Sequence, residues 1–147
     1  MSSYRQILYQ IVFRTKNSVP CLNADHREEL FRYIWGIIRN NNCKLYRING
    51  VEDHIHILSD LHPSLSLADF VKDIKAGSSL WIKKKGIFPG FTGWGAGYGA
   101  FTYAYCDRER IIRYIKNQVE HHKRKTFPVE YMELLKEFEV VFDSRYI

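Results

Sequence analysis

The chain has 147 residues, of which 46% are apolar and 26% charged, and it has a formal net charge of +6. This balance excludes a disordered, collagen-like or low-complexity chain, and the length predicts one domain over residues 1–147. No apolar run approaches the roughly 20 residues of a membrane helix, and the N-terminus has no signal-peptide pattern. Three cysteines without CxxC spacing favour a reducing cytoplasm over a disulfide scaffold or a zinc ribbon.

The first half of the chain predicts three strands and one helix. Residues 4–14 are rich in β-branched and aromatic side chains, which is typical of a strand. Asn23 is a plausible cap for a helix whose apolar spacing ends at the asparagines of 40–42. Residues 43–50 and 54–61 alternate in polarity and predict two antiparallel strands that follow one another along the chain.

The second half predicts helices around a glycine-rich loop. Ser66 and Asp69 form a capping-box-like start for a helix that ends at Gly86. The stretch 86–100 holds six of the nine glycines, and its length indicates a functional loop. The remaining predicted elements are a short strand over 101–105, a helix over about 108–123 capped by Asp107, and a short acidic helix that Pro128 introduces. Ile111, Ile115 and Val119 form an apolar stripe that we expect to face the sheet.

The order β-α-β-β-α-β followed by helix predicts an α+β fold of the ferredoxin-like split βαβ type. This fold has an antiparallel sheet with helices on one face, and here a C-terminal helix that bears Tyr114 follows it.

Positive charge is concentrated in one stretch of the chain. Residues 72–125 hold 12 lysines and arginines against 4 aspartates and glutamates. Such a stretch either attracts a phosphate backbone or forms a solvated face that aids solubility. The candidate DNA-binding residues are Lys75, Lys83, Lys84, Lys85, Arg113 and Lys116.

A His-Ile-His segment lies on the third predicted strand. In a strand, residues i and i+2 point to the same side with their β-carbons roughly 7 Å apart. His54 and His56 can therefore bind one metal ion, while Ile55 faces the core. The alternative is a pair of half-exposed histidines that bond to water or backbone.

A tyrosine and a glutamine are one turn apart on the last basic helix. Tyr114 and Gln118 have i, i+4 spacing, which places them on the same face. A phenol with a pKa of about 10 is a poor nucleophile at neutral pH. It can attack a phosphodiester when a metal polarises the phosphate. The imidazoles of His54 and His56 and the amide oxygen of Gln118 would supply three uncharged metal ligands. The alternative for Tyr114 is a structural role, because tyrosines are common at the margin of a core.

Four segments together resemble the single-tyrosine HUH transposases, small enzymes of insertion sequences that move as single-stranded DNA, and their repeat-associated relatives. These segments are DHIHIL at 53–58, KAGSS at 75–79, GYGAF at 97–101 and YIKNQVEHH at 114–122. They occur in order over most of the chain.

The resemblance implies a set of roles and partners. His54 and His56 would be metal ligands with Gln118 as the third, Tyr114 the nucleophile, and Mg²⁺ or Mn²⁺ the ion. The reaction would leave a 5′-phosphotyrosine and a free 3′-hydroxyl on single-stranded DNA that carries a hairpin or repeat. The family implies a homodimer, in which the tyrosine helix serves its own or the partner's histidines, and residues 86–100 would suit a hinge before that helix.

The segment after GYGAF departs from the family, because Tyr103 and Tyr105 stand where small residues are expected. If Tyr114 is buried, one of these two tyrosines would be a rival nucleophile. Two other functions remain open: a non-catalytic nucleic-acid-binding domain of the same fold, for which no RNP-like strand is present, and a metal-dependent phosphoesterase that hydrolyses rather than rejoins.

Overall fold

Four strands form one antiparallel sheet in the computed structural model, which describes residues 3–147. The strands are β1 (Tyr9–Arg14), β2 (Leu45–Gly50), β3 (His54–Ser59) and β4 (Gly99–Thr102). They lie side by side in the order β2-β3-β1-β4, and each neighbouring pair is antiparallel. The strand order and the β-α-β-β-α-β sequence of elements confirm the predicted ferredoxin-like split βαβ fold.

Among residues 3–147, the α-helices that accompany this sheet are α1 (Arg27–Asn40), α2 (Leu67–Lys85), α3 (Arg108–Lys116), α4 (Gln118–His121) and α5 (Phe127–Glu137). α1 and α2 pack on one face, as predicted for the split βαβ unit. α3 and α5 pack on the other face, so the C-terminal helices close a second core.

Alternation along the two central strands decides which core each residue joins. Ile11 and Ile57 belong to the core under α1 and α2, whereas Val12 and Leu58 pack against the C-terminal helices. Successive side chains of a strand point to opposite faces. His54 and His56 therefore face the same side as Leu58, towards α3, α4 and α5.

The predicted helix over about 108–123 is wrong in one respect, because Asn117 divides it into α3 and α4. The side chain of Asn49, on β2, donates to the carbonyl oxygens of Ile115 and Lys116, both at 3.0 Å. These bonds give partners to two carbonyl groups at the end of α3, where a helix leaves its last carbonyls without partners in the helix itself. The break turns Val119 outwards, where it is 44% exposed, so the prediction that it faces the sheet is also wrong.

Other boundaries differ by a few residues. β1 begins at Tyr9 rather than at residue 4, and β4 occupies 99–102 rather than 101–105. The N-cap position of α1 is His26, which makes no side-chain capping bond, rather than Asn23. The Asn23 side chain donates instead to the carbonyl oxygen of Ile87 at 3.2 Å. The start of α2 is as predicted, because the Ser66 hydroxyl accepts from the Asp69 amide at 3.0 Å.

The glycine-rich loop is joined to the body of the molecule at several points. The amide of Gly95 donates to the carbonyl of Arg14 at 2.8 Å, and the amide of Lys16 donates to the carbonyl of Gly93 at 2.9 Å. The Trp94 indole donates to the Ser78 hydroxyl at 2.9 Å. Across residues 3–147, no helix is both long enough and apolar enough to span a membrane.

Two glycines offer a matched test of the packing. A β-carbon on Gly50 would lie 2.5 Å from the carbonyl oxygen of His54, whereas one on Gly36, within α1, would meet nothing within 4 Å. We expect Gly50→Ala to lower the free energy of unfolding by about 1–3 kcal/mol, because a backbone atom must move. Gly36→Ala should raise it by about 0.5–1 kcal/mol through helix propensity. Urea denaturation of both variants measures the difference; equal stabilities would contradict the turn geometry.

Candidate active site

The two histidines of β3 are buried and face the C-terminal helices. The side chains of His54 and His56 are 0% exposed, and their ring centroids are 5.2 Å apart. β3 is flanked by β1 and β2, and this central position keeps solvent from the histidines along the plane of the sheet. The predicted convergence of the two rings on one side is confirmed; the predicted half-exposed alternative is not what the structure has.

A carboxylate from α5 lies between these rings. Glu130 is 2% exposed, and its Oε1 lies 3.0 Å from His56 Nε2 and 3.4 Å from His54 Nε2. His122, just after α4, places its Nε2 3.0 Å from the same oxygen. One ligand atom from each of these four residues lies within 4.8 Å of the others. Three imidazoles and a carboxylate are a donor set that can hold a divalent metal.

The outer nitrogens of the histidine pair are also bonded. His54 Nδ1 donates to Asp53 Oδ1 at 2.7 Å, which leaves its Nε2 directed into the cluster. His56 Nδ1 accepts from Gln10 Nε2 at 3.0 Å, and Gln10 Oε1 in turn accepts from the Tyr103 hydroxyl at 2.6 Å. A carboxylate that accepts from the outer nitrogen, as Asp53 does from His54, is the kind of partner that orients an imidazole in a metal site.

Tyr114 and Gln118 reach the same carboxylate from its other side. The Tyr114 hydroxyl donates to Glu130 Oε2, and its ring centroid lies 5.7 Å from that of His56. Gln118 Nε2 donates to Glu130 Oε2 at 3.2 Å, while Gln118 Oε1 lies 3.4 Å from His54 Nε2. The structure therefore brings together all four residues predicted for metal binding and nucleophilic attack, within one chain.

Burial and charge set the protonation of this cluster. Burial, together with the negative charge of Glu130 and the bond to it, raises the pKa of the Tyr114 phenol well above its usual value. Burial alone would raise the pKa of Glu130, but hydrogen bonds from His122, His54 and His56 outweigh it and hold that pKa below its usual range. Burial lowers the pKa of His56. Tyr114 is therefore a neutral phenol that points at a carboxylate.

Packing fixes Glu130 independently of its charge. Phe127, one turn earlier on α5, is buried and stacks on the His54 ring at 4.2 Å between centroids. Leu134, one turn later, packs with Val12 and Phe101 of the sheet. The apolar face of α5 thus carries one carboxylate, and docking that face on the sheet delivers the carboxylate to the histidines.

Glu130 and His122 are functional candidates that no sequence pattern had predicted. A signal for Glu130 was present, since it occupies the apolar stripe of α5 with Phe127 at i−3 and Leu134 at i+4. A glutamate in such a stripe needs a buried partner. His122 lay within the segment 114–122, but its ring reaches the cluster only because the chain turns after α4.

The rival tyrosines differ in position from Tyr114. The Tyr103 hydroxyl donates to Gln10, whose side chain in turn contacts His56, so Tyr103 reaches the cluster only indirectly. Burial raises the pKa of Tyr103 to about 12. Tyr105 is 49% exposed, and the guanidinium of Arg108 lies over its ring at 3.9 Å. Neither hydroxyl bonds to Glu130 in the part of the chain that the structure describes.

The candidate DNA-binding residues fall into two groups. Five of them are exposed, on the last turn of α2 and along α3: Lys83, Lys84, Lys85, Arg113 and Lys116. Lys75 is half-buried instead, and its ammonium donates to the carbonyl oxygens of Gly95 and Gly97 at 2.9 and 2.5 Å. Lys75 is thus bonded to the glycine-rich loop.

Comparison with known proteins supplies a family and two similar structures. Residues 3–118 match the family described as "Transposase IS200 like". A candidate transposase from Deinococcus radiodurans R1 is 23% identical, with a TM-score of 0.62 over 80% of this chain and 95% of that one. A REP-associated tyrosine transposase bound to a REP hairpin is 17% identical, with a TM-score of 0.58 over 82% of this chain and 74% of that one. At these identities the structures show a shared fold. No curated protein matches the chain.

Because Lys75 bonds to the glycine-rich loop, its replacement should lower the stability of the fold, whereas replacement of an exposed lysine should not. Lys75→Met removes a cation that satisfies two loop carbonyls, so we expect a loss of about 1–3 kcal/mol in the free energy of unfolding. Lys83→Met, on an exposed turn, should change it by less than about 0.5 kcal/mol. Chemical denaturation distinguishes the two, and an unchanged Lys75→Met variant would show that the loop does not depend on this contact.

Proposed function

The chain belongs to the IS200-like transposases, and from that membership we propose that it cleaves and rejoins single-stranded DNA through a covalent bond to Tyr114. One observation carries the proposal. The Tyr114 hydroxyl and the imidazoles of His54 and His56 contact the same buried carboxylate. The proposed nucleophile and the proposed metal-binding pair are therefore separated only by the side chain of Glu130.

The proposed step is a transesterification at a DNA phosphate. The phenolic oxygen of Tyr114 forms a bond to phosphorus, the bond from phosphorus to the 3′ oxygen breaks, and the phenolic proton leaves Tyr114. The DNA 3′ end takes up a proton and becomes a free hydroxyl. Attack by a 3′-hydroxyl on the phosphotyrosine reverses the step and rejoins a strand. The ester is conserved throughout, so no nucleotide cofactor is needed.

We propose that His54, His56 and Gln118 hold Mg²⁺ or Mn²⁺ beside the nucleophile. The ion would neutralise charge on the phosphate oxygens during attack. The fit of these residues is supported by their donor atoms: His54 Nε2 is directed inwards by the bond to Asp53, and Gln118 Oε1 lies 3.4 Å from it. Imidazole nitrogen favours Mn²⁺ over Mg²⁺.

Single-stranded DNA with a hairpin is the proposed substrate. The similar REP-associated transposase was solved with a REP hairpin, and the exposed lysines and arginines of α2 and α3 suit a phosphate backbone. The homodimer implied by the resemblance stays a prediction. Since Tyr114 already adjoins the histidines of its own chain, the proposed chemistry needs no exchanged helix.

Removing the Tyr114 hydroxyl tests the nucleophile directly. We expect Tyr114→Phe to abolish the covalent protein–DNA adduct on labelled hairpin oligonucleotides, seen on denaturing gels, while DNA affinity stays within a few-fold. Tyr105→Phe is the matched control and should cleave normally, because Tyr105 lies outside the cluster. An adduct that persists in Tyr114→Phe and disappears in Tyr103→Phe would move the nucleophile to Tyr103.

The wild type also distinguishes the alternative functions. DNA binding without any adduct would favour the non-catalytic domain, and cleavage without an adduct would favour the phosphoesterase.

Metal removal tests the role of the histidine pair. His54→Ala and His56→Ala should each lower the cleavage rate by at least about 100-fold, since removing one group that stabilises transition-state charge costs that much. Chelator should abolish wild-type cleavage, and Mn²⁺ should restore it. His26→Ala, which removes a surface histidine paired with Glu29, should leave the rate unchanged. Full cleavage in chelator would refute the metal role.

A further inference from the structure

We propose that Glu130 of α5 and His122, which follows α4, complete the metal site as ligands of the divalent ion together with His54 and His56. The inference rests on the proposed metal role of the histidine pair and extends it to residues beyond the matched segment 3–118.

Convergence on a single oxygen is the first argument. Oε1 of Glu130 is approached by three imidazole nitrogens that come from a strand and from the segment after α4. The four donor atoms lie within 4.8 Å of one another. Small side-chain movements would let donors at this spacing enclose one ion. By contrast, a surface carboxylate–histidine pair such as Glu29 with His26 offers only two donor atoms.

The charge of the buried carboxylate is the second argument. A carboxylate that is 2% exposed is costly to bury unless positive charge or hydrogen bonds compensate it. Its partners in the cluster are imidazoles, a phenol and an amide, none of which is permanently cationic. Lys125, the nearest lysine along the chain, pairs with Glu133 at 2.6 Å instead. A divalent cation among the imidazoles would add a permanent positive charge to the hydrogen bonds that the carboxylate already accepts.

The two oxygens of the carboxylate face different groups, which is the third argument. Oε1 faces the imidazoles of His54, His56 and His122. Oε2 accepts from the Tyr114 hydroxyl and from Gln118 Nε2, and it lies 3.1 Å from His121 Nε2. Glu130 can therefore ligate an ion through one oxygen and keep the phenol in place through the other. Three imidazoles with one carboxylate suit Mn²⁺, Co²⁺ or Zn²⁺ better than Mg²⁺, which prefers oxygen ligands.

Direct metal binding to the full chain tests the inference without cleavage. Protein stripped with chelator is titrated with MnCl₂ by calorimetry and with CoCl₂ by visible absorption. We expect Glu130→Gln and His122→Ala each to weaken Mn²⁺ binding at least about tenfold and to change the Co²⁺ spectrum. His54→Ala is the positive control for loss of a ligand. His26→Ala, the matched control, should bind both ions as the wild type does.

The metal titrations distinguish a Glu130 that ligates the ion from a Glu130 that only packs beside it. Unchanged or tighter Mn²⁺ binding by Glu130→Gln and His122→Ala, with loss of binding in His54→Ala, would overturn the inference and leave the proposed function intact. A wild type that binds neither ion would overturn the inference together with the metal role, but not the test of Tyr114 by adduct formation. If Glu130→Gln fails to fold, His122→Ala decides, because its side chain is 10% exposed and touches the cluster from its margin.

Discussion

The carboxylate of Glu130 is buried between the sheet and α5, and the organisation of the site depends on its bonds. It contacts the imidazoles of His54, His56 and His122 through one oxygen and the phenol of Tyr114 through the other. A buried carboxylate retains its charge only when its neighbours stabilise it. The helix that bears Glu130 and the strand that bears the histidines are therefore held together by the same contacts that arrange the reactive groups.

The sheet provides a rigid base for this arrangement. β3 lies between β1 and β2, so the strand that bears both histidines is paired with a neighbouring strand on each side. Because the same strand also sends Ile55 and Ile57 into the core beneath α1 and α2, the direction of the histidine rings is set by packing on the opposite face. A shift of one residue in register would exchange these two sets.

Two kinds of contact bring the C-terminal helices to the sheet. Asn49 of β2 ends α3 by bonding to its last carbonyls, and this break lets the chain turn so that His122 points inwards. Phe127 then stacks on His54 and seats α5. The family match ends at residue 118, before both Glu130 and His122. The residues proposed as nucleophile and histidine pair therefore lie within the matched segment, and the contacts of α5 lie beyond it.

Local patterns in the sequence determined much of this protein. Alternation determined the strands and put His54 and His56 on one side, helical spacing paired Tyr114 with Gln118, and the order of elements gave the fold, because each depends on residues close together in the chain. Only the tertiary structure decided that Asn49 breaks the tyrosine helix, that Lys75 bonds to the glycine-rich loop, and that Glu130 joins the histidines. The contacts of Asn49, of Lys75, and of Glu130 with the two β3 histidines connect residues 20 to 76 positions apart. No periodic signal specifies which distant partner a polar side chain will meet.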